Sequence, residues 1–139
     1  NYNQGVLTNQ VETLSPNKVL STLLVNNYLY AGIIEHGCYI TLLPDDGILD
    51  ENDNILNIPE DFSVYDIHYE EFDGKESLLL SCGSNGVLVY QDINNDGLLT
   101  DENFVGHIMS SYAYVAKLFD SDTVFVGTKN GIEIYNIGE

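Results

Sequence analysis

The segment DINNDGLLTDEN, running from Asp92 to Asn103, sets the oxygen donors Asp92, Asn94 and Asp96 at alternate positions ahead of Gly97 and follows them with two more acids, Asp101 and Glu102. In a tightly curled loop alternate side chains converge on one cation, the glycine makes the sharp turn, and the next carbonyl, that of Leu98, supplies a further oxygen. Hard oxygen donors of this kind favour Ca²⁺ over transition metals. The expected ligands are therefore Asp92, Asn94, Asp96 and the Leu98 carbonyl, with Asp101 or Glu102 completing the shell. The competing explanation is a connection between strands, because Asn, Asp and Gly also favour turns.

Position 12 of the segment is Asn103, where a complete loop carries a bidentate Glu, and the flanks read as strands. The segment thus resembles the opening half of an EF-hand or dockerin loop, and the DxDxDG loops of integrin-type propellers, without completing either pattern. That incompleteness implies weak binding, roughly 10⁻⁴–10⁻³ M. A shorter version, PDDGILDEND from Pro44, lacks two of the ligand positions and leaves Asp45, Asp46 and Asp50 for a second ion.

Other chemistry is sparse. His36, His68 and His107 have no metal-ligand spacing with another His or Cys, and the chain contains neither a G-x-S-x-G elbow nor a Gly-rich phosphate loop. Asp66 and His68 share a strand face, read here as solvated, the alternative being a hydrogen-bonded pair lining a funnel. Glu70 and Glu71 alternate faces and form no glycosidase pair. The chain reads as a non-enzyme. An enzymatic alternative, a glycan-active hydrolase, would draw on Glu35, His36, Asp61, His107 and Asn130. Cys38 and Cys82 read as half-buried free thiols, a disulfide between them having to cross between repeats.

The elements that position these residues recur. Three times a short apolar strand enters a glycine turn and leaves as a second strand, from Tyr28, from Ser77 and from Thr123, and the turn glycines Gly37, Gly86 and Gly131 stand 49 and 45 residues apart. That spacing lies in the roughly 40–50-residue range of β-propeller blades. Strands a are expected at Val19–Val25, Ser63–Tyr69 and Tyr112–Phe119. Strands b are expected at Tyr28–Gly32, Leu78–Cys82 and Val124–Gly127, and strands c at Cys38–Leu42, Val87–Tyr90 and Ile132–Tyr135. Type I′ turns are expected at Asn85-Gly86 and Asn130-Gly131. The opening NQGVLTNQVETL echoes NDGLLTDENF, so residues 1–14 read as the last strand of a preceding blade, with Asn9–Leu14 pairing with Ile132–Tyr135. Residues 15–59 and 60–108 follow as two blades, and 109–139 as a third lacking its last strand. The fold class is all-β, a propeller fragment or half-ring of about three four-stranded blades; a β-sandwich is the alternative, since short strands at regular spacing suit both.

The runs VFVGTKNGIEIY from Val124 and LSCGSNGVLVY from Leu80 resemble the hydrophobic-x-G-T-x-x-G-hydrophobic repeat of bacterial two-component-regulator propellers and of LVIVD-type propellers. The likeness implies a propeller used as an extracytoplasmic scaffold for binding or sensing, and it brings no catalytic residue. Trp, frequent in the regulator propellers, is absent. Twenty-two acidic residues face four lysines and no arginine, a formal charge of −18, so phosphate backbones and anionic membranes are repelled. No apolar run reaches the ~18 residues of a membrane span. The first residue is Asn, as expected of a processed or trimmed piece. The expectation is a soluble, secreted, periplasmic or cell-surface interaction module for a protein or glycan, with no nucleic acid partner and no membrane insertion. Its open ends would be covered by a second copy in a homodimer that completes the ring or by the remainder of a longer propeller; a structural cell-surface adhesin repeat is the further alternative.

Overall fold

The computed structural model describes residues 2–3, 6–7, 18–44, 54–58, 62–93 and 96–138, with backbone alone for 2–3, 6–7 and 54–58. The chain is all-β. Among the described residues there is no α-helix, and no helix is long and apolar enough to cross a membrane.

Three antiparallel meanders follow one another. The first contains β3 (Val19–Val25), β4 (Tyr28–Ile33), β5 (Gly37–Leu42) and β6 (Asn54–Ile58) in that spatial order. The second contains β7 (Asp66–Phe72), β8 (Lys75–Ser81), β9 (Val87–Asp92) and β10 (Phe104–Ile108), and the third β11 (Ala113–Leu118), β12 (Thr123–Thr128) and β13 (Gly131–Asn136). Two short N-terminal strands, β1 (Tyr2–Asn3) and β2 (Val6–Leu7), pair with each other. The expected pairing of Asn9–Leu14 with the third sheet, and the loop at Asp45, lie outside the described residues.

Two-residue turns fix the registers. Asn26 and Asn27 have φ of 48° and 70°, and Asp73 and Gly74 have φ of 54° and 79°, the left-handed pair that a type I′ hairpin requires. The second turn sets Phe72 opposite Lys75. It thereby moves strand a of the second unit to Asp66–Phe72 rather than Ser63–Tyr69, and starts strand b at Lys75 rather than Leu78. The expected type I′ turns at Asn85-Gly86 and Asn130-Gly131 are not formed. Positive φ falls on Gly83, Gly86 and Gly131 and on neither asparagine, so glycine alone carries the strained torsion there.

Alternation along the second sheet buries both of its faces. Leu78, Leu80, Leu88 and Tyr90 join Tyr30, Cys38 and Ile40 of the first sheet in one core, which also takes in Cys82 and Leu99. Leu79, Val87 and Val89 point the other way and pack with Ala113, Ala116, Leu118, Val124 and Val126 of the third sheet. The sheets therefore stack in chain order, the second between the other two. The far face of the third sheet is open: Ile132 and Ile134 are 75% and 62% exposed. Both cysteines are free and fully buried rather than half-buried. Burial holds both thiols in the protonated form, Cys82 with its pKa pushed up to about 12, so neither is a nucleophile.

Candidate metal centre

The loop that leaves β9 is shaped by its own acids. Asp92 Oδ1 accepts the Ile93 N–H at 2.7 Å, and Asp96 Oδ1 accepts the Leu98 N–H at 3.0 Å. Gly97 turns the chain with a φ of 81°, and Leu99 drops into the core between the first two sheets. Thr100 then caps a single 3-10 turn, Asp101–Asn103, whose Asn103 Oδ1 accepts the Thr100 N–H at 2.8 Å. Through that bond Asn103, at position 12, closes a capping box, which is why an amide suffices there.

Strand pairing adds an acid that the loop motif does not contain. Glu76 lies directly opposite Asp92 across β8 and β9, and directly opposite Glu71 across β7 and β8. Like charges directly opposite on one sheet face repel, and a proton or a cation would relieve that repulsion. Glu76, Asp92 and Asp96 bring carboxylate oxygens within 4.8 Å of one another and could hold a metal ion. The loop motif alone misses Glu76 because its link to Asp92 is one of register. Glu76 becomes legible only once the hairpin register is known, for counting back from the Ser81–Val87 pair that closes the β8–β9 hairpin places Glu76 beside Asp92.

Glu76 is 0% exposed. Its Oε2 accepts the Tyr69 hydroxyl at 2.6 Å and the Gly97 N–H at 3.2 Å. Its Oε1 is buried and meets no hydrogen-bond donor. A buried carboxylate oxygen left without a partner is costly, and an ion would satisfy it. Burial raises the Glu76 pKa, the Tyr69 and Gly97 bonds oppose that rise, and the charges of Asp96 and Asp92 add to it. Among the described residues no lysine forms an ion pair with Glu76 or Asp96.

Of the six ligands expected from the sequence, Asp92 and Asp96 belong to this group. Asn94 lies outside the described residues. The Leu98 carbonyl follows the turn at Gly97, and Asp101 and Glu102 sit in the exposed first turn of the 3-10 segment, outside the group of three.

Other candidate residues occupy separate settings. Asp66 and His68 do share a face, but it is the half-buried face toward the third sheet rather than a solvated one. Asp66 Oδ2, His68 Nε2 and Ser81 Oγ are buried there without hydrogen-bond partners. Burial lowers the His68 pKa, helped by the nearby Lys117 charge and opposed by Glu70. His36 is exposed in the turn before β5, and the ring of exposed His107 meets the Asn85 carbonyl oxygen. Asn130 donates to Ser111 Oγ at 3.1 Å, and Glu35 takes part through its backbone N–H, which donates to Ser63 Oγ. No hydrogen bond joins any two of Glu35, His36, His107 and Asn130. Asp61 lies outside the described residues. No protein-family model, curated protein or solved structure matches the chain.

Proposed function

We propose that this chain is an extracytoplasmic interaction module built on β-propeller repeats, and that Glu76, Asp92 and Asp96 hold a structural Ca²⁺ at the root of the β9–β10 loop. Two observations carry the calcium reading: Glu76 Oε1 is buried without a partner, and one carboxylate oxygen of Glu76 lies within 4.8 Å of oxygens of Asp92 and Asp96. The donors are hard oxygens, which suit Ca²⁺ better than a transition metal. Three protein carboxylates without a complete loop give a weak site, in the millimolar to submillimolar range of extracellular modules, which fits an environment where calcium is abundant.

Three meanders stacked in chain order, the middle one buried on both faces, support the propeller reading over a two-sheet sandwich. The module's contact surface would include the tyrosine cluster Tyr65, Tyr112 and Tyr114, with ring centroids 5.3–6.3 Å apart and Tyr114 exposed, an amphipathic aromatic patch suited to a protein or glycan. Isothermal titration calorimetry tests the metal. Ca²⁺ should bind at one site, Mg²⁺ more weakly because it gives up its hydration shell reluctantly, and Asp96→Ala should not bind. Equal calcium heats from wild type and Asp96→Ala would overturn the proposal.

A further inference from the structure

The cation loop is held from two sides, and one of them belongs to the first sheet. Tyr30, in the middle of β4, donates its hydroxyl proton to the Gly97 carbonyl at 2.5 Å and accepts the Leu99 N–H at 3.1 Å with the same oxygen. On the other side of the Gly97 residue, its N–H donates to Glu76 Oε2. Gly97 thus bridges the buried acid of the second sheet and the buried tyrosine of the first. The contact is close. A Cβ built on Gly97 would meet Asn26 Cβ and Nδ2 at 3.0 Å and Val25 Cγ1 at 3.1 Å, all on the β3–β4 hairpin. Leu99 is fully buried in the core that the two sheets share.

Resting on the calcium reading above, we infer that Tyr30 is a positioning residue for the cation loop, and that ion binding latches the first sheet to the second through Glu76, Gly97 and Tyr30. A cation that draws Glu76 Oε1, Asp92 and Asp96 together fixes the two ends of the loop. The peptide groups on either side of Gly97 then stay aimed at Glu76 and Tyr30. By linkage the reverse holds: contacts from the first sheet that preorganise the loop strengthen ion binding. Tyr30 makes no hydrogen bond to any of the three acids and holds the loop through the Gly97 carbonyl and the Leu99 N–H, so its effect on affinity reports the positioning of the loop.

Two measurements test the latch. In hydrogen exchange followed by mass spectrometry on the wild-type chain, adding Ca²⁺ should slow exchange in the β3–β4 hairpin as well as in the loop. Tyr30→Phe, which keeps the ring and removes the two hydrogen bonds, should weaken Ca²⁺ binding roughly two- to tenfold in calorimetry, the range of one neutral hydrogen bond. Calcium binding with unchanged exchange in the hairpin and equal affinity in Tyr30→Phe would overturn the latch while leaving the calcium site standing. A wild-type chain that binds no Ca²⁺ would overturn both.

Discussion

Replacing Glu76 by Gln should have two opposite effects, and their combination separates a metal ligand from an ordinary buried residue. Consider first the calcium-free protein. The carboxylate is fully buried, and carboxylate oxygens of Asp92 and Asp96 lie within 4.8 Å of its own. At an effective dielectric constant of about 20, a fully ionised pair at that distance repels by about 3.5 kcal/mol, a figure that the solvation of exposed Asp96 reduces. The amide keeps a carbonyl oxygen for the Tyr69 hydroxyl and the Gly97 N–H, and its neutral NH₂ replaces the buried, unpartnered Oε1 beside the acid cluster. Calcium-free Glu76→Gln should therefore melt higher than wild type, by the equivalent of about 1 kcal/mol or more. Calcium reverses the comparison. At ten times Kd the linkage stabilisation of wild type is RT ln 11, about 1.4 kcal/mol. With an unfolding entropy of about 2.1 cal/mol/K per residue, a domain of 139 residues gains roughly 5 °C. The variant should gain none of this. Differential scanning calorimetry at matched ionic strength is the assay, since at a charge of −18 any salt screens self-repulsion. A calcium shift in Glu76→Gln equal to that of wild type, or a calcium-free variant much less stable than wild type, would refute the reasoning.

Gly86 and Gly74 both have positive φ, of 73° and 79°, but a Cβ on Gly86 would lie 2.0 Å from the Ile108 carbonyl oxygen while one on Gly74 would meet nothing within 4 Å. Urea denaturation should therefore show Gly74→Ala losing about 1 kcal/mol from torsional strain and Gly86→Ala losing at least twice that, and equal losses would contradict the packing of β10 on the hairpin. The lowered His68 pKa means that the unfolded chain takes up the proton first, so stability is lost as pH falls from about 6.5 through the folded value. The groups around it are Asp66 and Glu70 on its own strand, Ser81 on β8 and Lys117 on β11. Asp66 and Glu76, whose pKa values are raised, act in the opposite sense, gaining stability as acidification protonates them in the fold. The difference in melting temperature between wild type and His68→Gln isolates the histidine: wild type should fall more steeply between pH 7.5 and 5.5, and parallel curves would mean that His68 is hydrated in the fold. The raised Glu76 pKa also implies that the calcium shift fades at a pH where ordinary carboxylates are still ionised, which the same melts measure.

Much of the fold is legible in the sequence because hairpin physics is local. β3, Val19–Val25, has the bounds expected of it, and β4, β9 and β13 start within one residue of where they are expected. In the second sheet β7 lies three residues later than expected and β8 starts three residues earlier, because Asp73-Gly74, a strong two-residue turn signal, outweighs the apolar run that follows it, while β9 starts at Val87 as expected. The asparagines beside Gly86 and Gly131 look like type I′ partners, yet the loops there let glycine alone take the positive φ. Two of the three acids of the candidate centre, Asp92 and Asp96, are visible as a spacing within one loop. Glu76 is not, since its place depends on the pairing of two strands, and spacing within a single loop carries no information about register. Tyr30 lies further still from such a reading, 67 residues before Gly97 and on another sheet.

The central claim concerns one oxygen atom, and a crystal grown with saturating CaCl₂ tests it most directly. An anomalous difference map should place Ca²⁺ about 2.3–2.6 Å from Glu76 Oε1 and from one oxygen each of Asp92 and Asp96. A calcium ion bound only elsewhere on the acidic surface, with Glu76 Oε1 facing water or a protonated neighbour, would contradict the account.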